Sequence, residues 1–150
     1  MTTEVLFYHL MHQPLEDALP RLLLKCLERD WVVAVQAGNP ERRDALNAHL
    51  WTFSDESFLP HGTQEDGYPE QQPIYLTAEG DNPNEAQVRF MVDRAQLADL
   101  TPYARVVYLF DGNDPEALGE ARQTWKAVKA AGHALTYWQQ TESGGWEKKA

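Results

Sequence analysis

The chain has 150 residues, 43% of them hydrophobic and 24% charged, which is the size and balance of one globular domain. No apolar run approaches the roughly 20 residues of a membrane-spanning helix, and the opening Met-Thr-Thr-Glu-Val carries no basic-then-apolar export pattern, so a cytoplasmic place is expected. Thirteen Lys and Arg against 23 Asp and Glu give a formal net charge of −10, which opposes direct binding to a phosphate backbone unless cations gather locally.

In chain order, β-branched and aromatic runs at 4–8, 31–36, 73–77, 87–92, 105–110 and 134–139 read as strands, with helical patterns between several of them. Trp31-Val32-Val33-Ala34-Val35 and Val106-Val107-Tyr108-Leu109-Phe110 are nearly continuous apolar runs, as expected of strands covered on both faces of a parallel sheet. The expected fold is therefore α/β: a single domain over 1–150 with a mixed, mostly parallel sheet and helices on both faces. The first helical stretch, 14–29, contains Pro20, which implies a kink or a short turn and restart. It also holds the lone cysteine, Cys26, at an apolar-periodic position, where it reads as buried filler.

Asn39-Pro40-Glu41 and Asp114-Pro115-Glu116 are helix starts: a capping oxygen, a proline at the first helical position and an acid at the positive dipole end. The second of these helices is expected over 114–131, with Gly132 ending it. The stretches 54–72 and 79–85, rich in Gly, Pro, Asp, Asn and Gln, read as long surface loops.

Alternating strands and helices invite a nucleotide, yet the turn after the first strand, His9-Leu10-Met11-His12-Gln13-Pro14, has no glycine, and no phosphate-binding Gly-Lys motif occurs. The five histidines show no metal spacing, and Ser54 and Ser57 lie in no nucleophile elbow. No cofactor or metal is expected, and no catalytic residue. Phe110-Asp111-Gly112-Asn113-Asp114 sets a carboxylate at a strand end, where α/β enzymes place metal ligands. The same residues also suit a tight turn followed by a helix cap. A metal-dependent phosphohydrolase or nucleotide-binding enzyme using Asp111 is the alternative function.

Two segments look like binding surfaces. On a wheel at about 100° per residue, Ala121, Trp125 and Val128 fall within roughly 80° of Leu118 on one side, and Arg122, Lys126 and Lys129 within roughly 80° on the other. A tryptophan bordering three cations is a pocket for an aromatic ligand bearing carboxylates, or a solvated face beside a core tryptophan. Trp51, Phe53 and Phe58, following the helix that starts at Asn39, either anchor a loop or dock a partner; spacing favours an anchor for Phe53 and leaves Trp51 and Phe58 open.

The Trp51 to Ser57-Phe58-Leu59-Pro60-His61 element, Gln72-Pro73-Ile74-Tyr75-Leu76-Thr77, the run from Tyr103 to Asp111, and Ala121-Arg122 with Trp125-Lys126 resemble, in order along the chain, the chi subunit of bacterial DNA polymerase III. The resemblance implies a mononucleotide-binding-like (Rossmann-like) fold without a nucleotide and a non-catalytic accessory role in DNA replication. It implies a link from the clamp-loader complex, through the psi subunit, to the acidic, phenylalanine-ended C-terminal tail of single-stranded-DNA-binding protein. By position, Arg122, Trp125, Lys126 and Phe110 would meet the tail, with Lys129 added from the wheel alone. Trp51 and Phe58 would meet psi, or a helicase that competes for the same face. Leu118 stands where some relatives have another basic residue, and the Asp111 turn departs from the family pattern.

Overall fold

The computed structural model describes residues 3–52, 60–96, 99–143 and 145–149. Its elements are β1 (Glu4–Leu10), α1 (Leu15–Glu28), β2 (Val33–Gln36), α2 (Pro40–Thr52), β3 (His61–Gly62), β4 (Ile74–Thr77), β5 (Val88–Met91), β6 (Arg105–Asp111), α3 (Pro115–Ala130), β7 (Ala134–Gln140) and β8 (Trp146–Lys148). They form one eight-stranded sheet in the order β3-β4-β2-β5-β6-β1-β7-β8. Every pairing is parallel except β7 with β8. The six expected strands are all present, and β1 runs two residues further, to Leu10. The short edge strands β3 and β8 are additions; β3 and two 3-10 turns, Gln64–Asp66 and Pro69–Gln71, lie within the stretch that read as loop.

Side chains alternate across a strand, so β1 sends Leu6 and Leu10 to one face and Val5 and Phe7 to the other. The first face packs against α1 through Leu19, Leu22, Leu23 and Cys26, and against α2 through Leu46 and Leu50. The second packs against α3 through Val128 and Trp125. Helices thus cover both faces, as the continuous apolar strands require.

Pro20 does not break α1, which is continuous from Leu15 to Glu28 with Pro20 buried. A proline leaves the carbonyl four residues earlier without its helical donor. That carbonyl belongs to Glu16, and His49 Nε2 of α2 donates to it at 2.7 Å.

The 79–85 loop is held from inside the sheet. Arg89 of β5 is fully buried, and its guanidinium donates to the carbonyls of Glu79 (2.6 Å) and Asp81 (2.7 Å), to Gln36 Oε1 (2.7 Å) and to the Tyr103 hydroxyl (3.0 Å). Such saturation by neutral acceptors offsets the cost of removing a cation from water. Among the described residues no helix is long and apolar enough to cross a membrane.

Candidate functional site: an aromatic and basic cleft beside α3

The carboxyl end of β6 turns tightly into α3. Asp111 Oδ1 accepts from the Asn113 amide (2.9 Å), Asn113 Nδ2 donates to the Met11 carbonyl (3.1 Å), and Asp114 Oδ1 accepts from the Glu116 amide (3.0 Å). Gly112 is dictated by packing: a Cβ there would stand 1.8 Å from His9 Nε2 and 2.8 Å from the Leu10 carbonyl oxygen. Each residue of the turn thus has a structural task. Among the described residues no three His, Cys, Asp or Glu side chains gather as metal ligands.

The loop after β1 is where a mononucleotide-binding fold presents amides to phosphate. Here the amides of Met11, His12 and Gln13 converge on Gln140 Oε1, at 3.1, 2.9 and 3.0 Å. The chain fills its own anion cradle with a neutral side-chain oxygen from the end of β7.

Helix α3 is closed at its far end by Gly132 in the left-handed region (φ 87°). The Gly132 amide donates to the Lys129 carbonyl (3.1 Å) and the His133 amide to that of Val128 (3.4 Å). This pairing ends the helix and turns the chain into β7.

Between α3 and the ends of β1, β6 and β7 lies a cleft of about 500 Å³ lined by His9, Phe110, Leu118, Ala121, Arg122, Trp125, Lys126, Tyr137 and Gln139. Four of the residues expected at the tail site, Phe110, Arg122, Trp125 and Lys126, are brought together there. Lys129 is exposed on the same helix but does not line the cleft. The aromatic floor is one connected cluster: Trp125 meets Phe7 and Tyr137 edge to face at 5.2 and 5.9 Å, and Phe110 lies 5.0 Å from the His9 ring. Glu116 and Glu120 on α3 are engaged by Arg94, whereas Arg122, Lys126 and Lys129 have no ion-pair partner among the described residues. Acid is neutralised on one flank of the helix, and on the other Arg122 and Lys126 edge the cleft as cations without an ion pair among the described residues.

His9, which the sequence offers only as a histidine near a strand end without metal spacing, completes the lining with Tyr137 and Gln139, which nothing in the sequence singles out. His9 Nδ1 and the Tyr137 hydroxyl share a 2.6 Å hydrogen bond. Burial lowers the pKa of His9, with the nearby Arg122 adding to the effect and Asp111 opposing it. Burial raises that of Tyr137, which Arg122 partly offsets. Both side chains are thereby held uncharged near neutral pH. Only their position at paired strand ends, His9 opposite Phe110 and Gln139 on its two sides, reveals them.

Trp51 belongs to the last turn of α2 rather than to a loop after it, and is 51% exposed. Its ring lies 4.2 Å from that of His61, whose Nε2 donates to the Asn47 carbonyl at 3.1 Å. The indole is thus fixed against β3 while offering half its surface to solvent. Phe53 and Phe58 lie outside the described residues.

Residues 1–136 match the family described as DNA polymerase III chi subunit, HolC. The chain belongs to this family. It is also similar to a protein of Rickettsia prowazekii (strain Madrid E) named Probable DNA polymerase III subunit chi, with 31% identity over 103 residues. That match spans 69% of this chain and 62% of the relative's length, so less than two thirds of the relative is represented. The match to the chi family takes in both β6 and α3, and therefore most of the cleft.

Proposed function

We propose that this chain is a non-catalytic accessory subunit of the bacterial DNA polymerase III holoenzyme, working in the cytoplasm. In this reading it links the clamp-loader complex, through psi, to the acidic C-terminal tail of single-stranded-DNA-binding protein. The observation that carries the reading is the cleft beside α3: an aromatic floor of Trp125, Phe110 and Tyr137 with Arg122 and Lys126 at its edge. A peptide ending in phenylalanine seats its ring on that floor. Its carboxylates meet a guanidinium that can bind two oxygens at once and an ammonium that supplies a point charge. Lys129 attracts the acidic stretch as it approaches without entering the cleft. Trp51, half-exposed, is the described part of the psi-facing surface, shared with a competing helicase. Phe58, outside the described residues, is assigned to the same contact from the sequence resemblance alone.

The test is fluorescence anisotropy of a labelled acidic peptide ending in phenylalanine, titrated with the wild-type chain and with Arg122→Ala. A charge-assisted pair contributes roughly 1.5–3 kcal/mol, so the substitution weakens binding about tenfold or more, with helix content unchanged. Equal affinity of the two proteins would remove α3 from the site. No binding by either at low salt would remove the tail as the ligand.

A further inference from the structure

We infer that a second trough, on the opposite face of the sheet, docks an acidic peptide segment carrying an aromatic or branched aliphatic side chain. The trough has a volume of about 500 Å³ and lies between α1 and the β5-β6-β1-β7-β8 part of the sheet. Strand alternation separates it from the α3 cleft: His9 and Tyr137 face that cleft, whereas their neighbours Tyr8 and Trp138 face the trough. Trp31 and Trp146 supply its other aromatic walls.

The charges around these rings name the occupant. Lys25 and Arg29 at the end of α1 and Arg105 of β6 line the trough with a single acid, Glu4. Lys148 lies directly across from Trp138 in the β7-β8 pair. Glu4 engages Arg105 at 3.3 Å, and Lys25 and Arg29 have no carboxylate partner among the described residues. In a chain of net charge −10 this is a local inversion of sign, the complement of a ligand with several carboxylates.

The rings decide between a peptide and a nucleic acid. Base stacking needs an open aromatic face. The guanidinium groups of Arg29 and Arg105 lie over the Trp31 ring at 5.0 and 4.8 Å, and Tyr8 meets Trp146 edge to face at 4.7 Å. The aromatics therefore form the walls of a pocket for one apolar side chain. Trp31 holds the two guanidiniums over its ring, Arg105 also engaging Glu4 and Arg29 keeping its N–H groups for an incoming carboxylate.

The test uses the full chain with 15N-labelled tryptophan, whose five indole signals are read in a titration. The probe is a blocked acidic peptide, Asp-Asp-Leu-Phe-Asp-Asp, which has no terminal carboxylate and so differs from the proposed tail. The expected result is saturable movement of the Trp31, Trp138 and Trp146 signals. Lys25→Glu/Arg29→Glu, both exposed positions, raises Kd at least tenfold with an unchanged melting curve, and Arg122→Ala leaves Kd as it was. The inference is overturned by any of three outcomes: movement confined to Trp125, affinity indifferent to the charge reversal, or an oligothymidylate moving the same three signals at lower concentration than the peptide. Failure of the α3 cleft to bind its tail changes none of these readouts.

Discussion

His9 and Gly112 occupy what is nearly one volume. The imidazole Nε2 stands where a Cβ on residue 112 would be, and the Leu10 carbonyl closes the other side. Gly112→Ala therefore forces the ring out of its place between Phe110 and Tyr137, at an overpacking cost of about 1–3 kcal/mol. In a His9→Ala background the same change costs less, because the ring is gone. Thermal melts of the two single variants and the double variant give the coupling directly. Additive effects would mean that the strain comes from the Leu10 carbonyl alone. At this scale the sequence is legible only where the chemistry is local. Asp111-Gly112-Asn113-Asp114 reads as a turn and cap from its own residue types, and Cys26 as filler from helical spacing; burial indeed pushes its thiol up to about 11. The fit of His9 to Gly112, the capture of three amides by Gln140 and the buried Arg89 join positions far apart in the chain. No local pattern announces them.

Helix α3 is the element most fully written in its own sequence. Asp114 caps it, Pro115 starts it, Gly132 ends it, and the wheel puts Trp125 beside Arg122 and Lys126 as the cleft does. A wheel gives direction but not position along the axis. Lys129 shares the cationic stripe yet sits about 4.5 Å further along the helix than Lys126, beyond the cleft. Helix α1 shows the opposite limit, since the proline rule anticipates a break that a histidine on a neighbouring helix makes unnecessary. Helix α2 carries its aromatic to the surface in its last turn. Trp51→Ala removes a half-exposed ring whose packing partner is His61, so the circular dichroism spectrum stays that of the wild type while capture of immobilised psi is lost. Unfolding by this change would make Trp51 part of the core, and unimpaired capture would move the psi surface elsewhere.

For the whole molecule, composition and run length convey an α/β sheet covered on both faces, but not the order of its strands. β1 lies between β6 and β7, far from β2, an arrangement set by crossovers that leave no mark in local patterning. The two-residue β3 and three-residue β8 are too short for a periodicity to declare them. That order nonetheless assembles the site on which the proposed function rests. It brings the ends of β1, β6 and β7 together under α3, so that one aromatic floor is assembled from three strands and edged by cations, in a chain whose net charge is otherwise strongly negative. Tail binding at this cleft requires that the floor take an aromatic side chain, beyond any attraction between basic and acidic surfaces. The most direct measurement is calorimetric titration of the wild-type chain with two acidic tail peptides that differ only in a terminal phenylalanine or alanine. Burying a phenyl ring contributes roughly 1.5–3 kcal/mol, so the alanine peptide is expected to bind at least tenfold more weakly at every salt concentration. Equal affinities, falling together as salt rises, would contradict the account and reduce the cleft to an electrostatic patch.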